Sequence, residues 1–271
     1  MRVLVHLSDL HFGRVDRALL SPLARRVQAL RPHLVAVSGD LTQRAKSAEF
    51  RDARRFLDAL PGALLVVPGN HDIPYYNVFQ RFLQPLAKYR RYISPEVEPA
   101  FVDGEIAVVG VNTARSSVFK GGRINAAQIE RARERLCRLP AGTTKVVVTH
   151  HPFDLPAGVD AGHHARKLVG RARQAMEMFA ACGADILLAG HLHASHTGDT
   201  GARYKIGDYA ALVVQAGTAT SVRGRGEANS FNVLRIEPQK VSVERFGWTG
   251  GDFAPAERAS FTRTSTGWQK S

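Results

Sequence analysis

The chain reads as an α/β sandwich, one domain over residues 1–271 with two packed sheets. Three observations predict this. Short apolar runs alternate with amphipathic, Arg-rich segments up to about residue 195, the pattern of strands buried on both faces and linked by helices. From about residue 202 helical periodicity gives way to successive strand-like runs. No Pro/Ser-rich linker, internal repeat or low-complexity tract divides the 271 residues.

The elements come in order. VLVHL (3–7), HLVAVS (33–38), ALLVV (63–67), AVVGV (107–111), KVVVT (145–149) and DILLA (185–189) are runs of the length and β-branched content expected of buried strands. Between them, 18–30, 46–59, 125–138 and 166–181 carry apolar residues three and four apart, the spacing of a helix with one buried face. Strands alternating with helices make the sheet largely parallel. RYKI, YAALVVQAG, SFNVLRIE and KVSVERF, all beyond residue 202, read as antiparallel strands. Residues 75–93, YYNVFQRFLQPLAKYRRYI, form a helical insert rich in aromatic and basic residues, interrupted by Pro85. Packing on the body accounts for such an insert; a lid or a surface engaging an amphiphilic or anionic substrate is the functional alternative.

A net charge of +13 and a pI near 10.3 favour an anionic partner: a phosphorylated metabolite, a nucleic acid or an acidic membrane surface. The two cysteines, Cys137 and Cys182, offer no disulfide framework and no thiolate metal site, and suit a reducing compartment. The N-terminus lacks a signal-peptide pattern, and no apolar run approaches the ~20 residues that span a bilayer. A cytoplasmic protein, at most peripheral at the inner membrane surface, is expected.

The chemistry lies in the residues just after each strand. VLVHL leads into Ser8-Asp9-Leu10-His11, HLVAVS into Gly39-Asp40, and ALLVVP into Gly69-Asn70-His71-Asp72. KVVVT leads into His150-His151-Pro152, and DILLA into Gly190-His191-Leu192-His193. Carboxyl ends of parallel strands share one edge of a sheet, so the five stations are expected to converge. Alone, each is an ordinary turn or cap; together they share one ligand chemistry, oxygen and imidazole without thiolate, suited to Mn, Fe or Zn. Seven donors are too many for one catalytic ion and fit two ions about 3.5–4 Å apart, the arrangement used for phosphoryl chemistry.

These motifs, D-x-H, G-D, G-N-H-D, H and G-H-x-H in this order, resemble the calcineurin-like metallophosphoesterase superfamily over about residues 1–195. The resemblance implies a four-layer α/β/β/α sandwich of two mixed sheets flanked by helices. By the same resemblance, Asp9, His11 and His193 are ligands of a first metal, Asp40 bridges, and Asn70, His150 and His191 hold a second. His71 contacts the substrate phosphate and protonates the leaving oxygen, with Asp72 orienting its imidazole; His151 has a supporting or structural place. A hydroxide activated between two divalent or trivalent ions then attacks phosphorus, with no covalent enzyme intermediate.

SDLHFG, the GNHD turn and the H-H-P station look most like the bacterial cyclic-nucleotide phosphodiesterase (class III) branch, which implies a small anionic phosphodiester as substrate. Arg223 and Arg225, set among glycines in GTATSVRGRGEANSF, are candidates for its phosphate. The basic charge and the 75–93 insert also fit a membrane-surface pyrophosphatase resembling the UDP-diacylglucosamine hydrolases of lipid A synthesis, but those carry Arg where this chain has His71. A nuclease fits the charge, yet no added DNA-binding domain or coiled-coil tether is present. A non-catalytic scaffold like the retromer subunit is disfavoured by the intact ligand set.

Overall fold

A computed structural model describes residues 1–119, 121–140, 142–155, 167–223, 226–264 and 267–271. Two sheets lie face to face. The first contains β1 (Arg2–Leu7), β2 (Leu34–Ser38) and β3 (Ala63–Val67), all parallel. It continues antiparallel from β1 through β12 (Ser230–Glu237), β13 (Lys240–Trp248), β14 (Phe253–Thr264) and β15 (Gly267–Lys270). The second runs from β4 (Ala100–Val102) through β5 (Ile106–Gly110), β7 (Thr144–Val148), β9 (Ile186–Ala189) and β11 (Leu212–Gln215) to β10 (His196–Asp199). Two short strands, β6 (Gly122–Arg123) and β8 (Val169–Gly170), pair apart from both.

The strand residues alternate between two apolar layers because successive side chains point to opposite faces. On β1, Leu4 joins Leu34, Val67, Val108 and Val148 between the sheets. Val3, Val5 and Leu7 face α1 (Arg17–Leu30) and α2 (Ser47–Asp58) through Leu23, Val27, Phe50 and Leu57. On the far side, Val147 and Leu187 meet α5 (Ala126–Cys137) and α6 (Ala172–Cys182) through Leu136, Met176 and Phe179. The layers are therefore helix, sheet, sheet, helix, as the motif resemblance implies.

Several expectations are corrected. RYKI is not a strand: residues Gly201–Tyr204 form α7, a single turn capped at Lys205 in the left-handed region. YAALVVQAG supplies β11, which runs parallel to β9 and antiparallel only to β10. The helix expected over 166–181 begins at Ala172, because Val169 and Gly170 pair with β6. The insert is two short helices, α3 (Val78–Leu83) and α4 (Ala87–Tyr92), separated at Pro85. No helix among the described residues is long and apolar enough to cross a membrane.

The cysteines differ most from expectation. α5 and α6 pack side by side, bring their C-terminal ends together and join Cys137 to Cys182 in a disulfide, with Cα atoms 4.6 Å apart. Sequence separation hid this, since the two lie 45 residues apart. By the chain-entropy argument, closing that loop restricts the unfolded state by about 4 kcal/mol. Cys182→Ala is accordingly expected to lower the denaturation free energy by about 2–4 kcal/mol in urea titrations. Equal midpoints for the two proteins without reductant, at equal slopes, exclude that contribution.

Candidate metal centre and active site

The five stations converge, but from two sheets: β1, β2 and β3 deliver three from one, β7 and β9 two from the other. The turns at these strand ends are strained. Asp9, His11, Asp40, His191 and His193 all have positive φ, between 49° and 72°, a region L-residues with side chains avoid. Such backbone persists where the surroundings over-determine it. Two glycines allow the close approach: a Cβ at Gly69 falls 2.1 Å from Asp40 Oδ1, and one at Gly190 falls 1.8 Å from Ser8 Oγ.

Acceptor atoms meet in the space so formed. Asp9, His11, Asp40 and His193 form one group whose ligand atoms all lie within 4.8 Å of one another. His193 Nε2 and His11 Nε2 stand 3.1 and 3.5 Å from Asp9 Oδ1, and 3.2 Å from each other. His193 Nδ1 lies 3.2 Å from the Arg223 carbonyl, which only accepts, so Nδ1 carries the proton and Nε2 presents a lone pair. In the same way His150 Nδ1 donates to the Ser38 carbonyl at 2.7 Å, leaving Nε2 to face Asn70 Oδ1 at 3.1 Å and Asp40 Oδ2 at 3.3 Å. His191 Nδ1 lies 3.3 Å from that same His150 Nε2.

Asp40 Oδ2 is common to both groups, being also 3.7 Å from His11 Nε2. Its other oxygen accepts from the His71 backbone N–H at 2.8 Å. Asp9 Oδ1 is buried with no hydrogen bond, while Oδ2 accepts from Ser8 Oγ and the His191 N–H. Lone pairs aimed at lone pairs in a buried pocket repel unless a proton or a metal ion lies among them. The donor set fits metal ions on that ground: imidazole nitrogen, carboxylate and amide oxygen, with no thiolate. Burial opposes the charged form of His150, yet the Asp40 carboxylate outweighs it and pushes this imidazole up to about 9. Burial, reinforced by the charge on His150, pulls His191 down to about 3. The carboxylate of Asp40 is held below its ordinary range because neighbouring imidazoles outweigh the burial that opposes its charge.

His71 stands at the edge of this centre. Its Nδ1 donates to the Gln43 carbonyl at 2.8 Å, which turns Nε2 toward the cavity, 3.1 Å from an Arg223 guanidinium nitrogen. Asp72 does not orient that ring. Its carboxylate accepts from the backbone N–H groups of Leu41, Thr42 and Gly69 and from Thr42 Oγ1, clamping the β2 and β3 turns together. The expectation failed because carboxylate and imidazole are adjacent in sequence yet diverge from a one-turn 3₁₀ helix, Asn70–Asp72. Asp72→Ala strands three backbone donors, so a loss of about 2–4 kcal/mol in denaturant titrations is expected. A loss near zero would show that this clamp contributes nothing to stability.

His151 lies beside His150 and His191, its Nδ1 2.9 Å from Thr113 Oγ1 and its ring 4.5 Å from that of His191. It groups with His150 and His191 within 4.8 Å, its Nε2 buried without a hydrogen bond. Arg223 is drawn in by its contacts with His71 and with the Gln43 side chain at 3.3 Å; Arg225 lies outside the described residues. A cavity of ≈ 360 Å³ opens over the centre, lined also by Tyr75, the first residue of the insert, and by Gln43, Phe119 and Lys167, which the sequence did not single out. The missed signal was the carboxyl ends of β5 and β11. β5 leads to Thr113 and Phe119, and β11 to Thr218, whose hydroxyl holds the Asp9 carbonyl, ahead of the already expected Arg223.

Comparison with known proteins agrees with this geometry. The family model described as calcineurin-like phosphoesterase matches residues 2–195. The chain is 28% identical over 283 residues to a cAMP/cGMP dual specificity phosphodiesterase of Mycobacterium tuberculosis, covering 92% of this chain and 80% of that protein. It is 26% identical over 204 residues to the glycerophosphodiester phosphodiesterase GpdQ of Enterobacter lignolyticus, covering 67% of this chain and 69% of that one. Among solved structures, purple acid phosphatase PPD1 of yellow lupin superposes with a TM-score of 0.75 at 11% identity, over 97% of this chain and 54% of that one. Vps29 of Entamoeba histolytica, at 0.51 and 15%, covers 96% and 99%. With a family model spanning all five stations, the chain belongs to the calcineurin-like phosphoesterase family and is a metal-dependent phosphoester hydrolase.

Proposed function

We propose that the chain is a phosphodiesterase acting on a compact, 3',5'-cyclic-nucleotide-like phosphodiester with two metal ions that share Asp40. The observation carrying this reading is Asp40 Oδ2, which faces one donor group through His11 and the other through His150. When bound, the two ions supply positive charge for the phosphoryl oxygens and lower the pKa of water. Asp9, His11 and His193 would hold the first, and Asn70, His150 and His191 the second. His71 turns Nε2 to the cavity with Nδ1–H held by Gln43; a proton taken up on Nε2 gives the imidazolium, which passes it to the leaving oxygen and returns the ring to this tautomer. Arg223 adds a cation beside it, placed for a non-bridging phosphate oxygen.

The cavity volume of ≈ 360 Å³ lies at the small end of ligand sites and supports a compact substrate. Both curated relatives are named as phosphodiesterases, which supports the diester over the monoester. The test is a panel of cyclic AMP, a glycerophosphodiester, bis-p-nitrophenyl phosphate and p-nitrophenyl phosphate. It is run after chelation and again after Mn²⁺ is restored. Chelation is expected to abolish diester hydrolysis, and Mn²⁺ to restore it. A chelated protein at full rate, or a preference for the monoester, sinks the proposal. Arg223→Ala is expected to raise KM by about tenfold or more through loss of a charge-assisted phosphate contact; an unchanged KM removes Arg223 from the site.

A further inference from the structure

The helix α3 is inside out. A helix on a globular protein ordinarily buries its apolar stripe and exposes its charges. Here Arg81 is 2% exposed, while Phe79 is 81% and Leu83 77% exposed. The guanidinium of Arg81 donates to the carbonyls of Ser116, Pro74 and Val118 and lies 3.9 Å from the Phe119 ring centroid. These bonds fix the helix against the 116–119 segment and turn its apolar side outward. Phe79, Phe82 and Leu83, spaced three and four apart, share that outward face. Tyr75 contacts both Tyr76 and Phe119 edge-on, at 5.1 and 5.3 Å, extending the ridge to the mouth of the active-site cavity.

We propose that this ridge docks the protein onto an anionic lipid bilayer, with the cavity mouth turned toward the headgroups. Charge selects this occupant. Residues 73–95 contain no Asp or Glu, and Lys88, Arg90 and Arg91 come after the ridge on α4. The Arg44 guanidinium lies 5.7 Å from the Tyr76 ring centroid. A second copy of a segment with basic residues and no Asp or Glu offers it no complementary charge, on a chain of net charge +13, whereas an anionic bilayer supplies the complement. Exposed Phe and Leu beside Tyr and Arg are the composition that enters the boundary between headgroups and acyl chains. Docking is independent of which phosphoester is cleaved.

The test is co-sedimentation of the full chain with vesicles of phosphatidylglycerol and phosphatidylcholine, against phosphatidylcholine alone. Wild type is expected to pellet with the anionic vesicles. The double variant Phe79→Ser/Leu83→Ser is expected to partition about tenfold or more weakly, since two buried apolar side chains are lost. Both proteins should hydrolyse bis-p-nitrophenyl phosphate equally without vesicles, because neither residue lines the cavity. Wild type remaining in the supernatant overturns the inference, as does a variant that pellets equally, which reduces binding to charge alone. Sedimentation equilibrium showing a wild-type dimer that the variant dissolves assigns the ridge to a second copy and also overturns it. Partition is read without turnover, so failure here and failure of the phosphodiesterase reading are separate results.

Discussion

Asp40→Ala is expected to lose bound metal and activity together, with turnover of bis-p-nitrophenyl phosphate falling by about 10³-fold or more. The reason is geometric. One oxygen faces both donor groups, 3.7 Å from His11 Nε2 and 3.3 Å from His150 Nε2, and no other side chain among the described residues is shared in this way. The second oxygen holds the His71 backbone N–H, so the substitution also frees the turn that presents His71. Folding should survive, because alanine at the φ of 52° found here costs no more than about 1–2 kcal/mol. Metal content by elemental analysis, alongside circular dichroism, makes the check. A folded variant holding the wild-type complement of metal would show that Asp40 is not the shared ligand.

His71→Ala should separate chemistry from metal binding. Among the described residues its imidazole makes no hydrogen bond or ion pair with Asp40 or Asp9; its fixed contacts are Gln43, Arg223 and, edge-on at 5.0 Å, the ring of His11. Metal content is therefore expected to be retained while kcat falls by about 10²–10⁴-fold, the range for loss of a general acid. The loss should be larger for cyclic AMP, whose leaving group is an alkoxide, than for bis-p-nitrophenyl phosphate, whose phenolate departs without a proton. Equal losses on both substrates assign His71 to holding phosphate. Loss of metal assigns it to the ligand set instead.

The residues of the candidate centre were legible because groups able to hold a metal announce themselves by type and place. Asp, Asn and His at the ends of apolar runs, beside Gly39, Gly69 and Gly190, are visible without coordinates. The strands were legible for the same kind of reason: a β-branched run such as KVVVT has few other ways to be buried. Contacts that depend on the direction a side chain leaves the backbone were not legible. Adjacency in sequence puts Asp72 beside His71, yet one turn of 3₁₀ helix sends the carboxylate to the backbone of the β2 turn and leaves the imidazole to Gln43. Gln43 itself carries no signal, since its contribution to the tautomer is a main-chain carbonyl that every residue has.

By itself, then, the sequence determined the alternation of strands and helices, the chemistry of the candidate donor groups and the polar turn after each of five strands. Composition and spacing along the chain suffice for these because each is set by local periodicity and residue type. Tertiary structure alone decided how the stations divide between two sheets, that β11 runs parallel and brings Arg223 to His71, and that Cys137 meets Cys182. It also turned α3 so that Arg81 is buried and Phe79 exposed, the reverse of what residue type predicts. These outcomes depend on which surfaces meet across long separations. A buried guanidinium is tolerated only where the fold happens to gather three carbonyls around it.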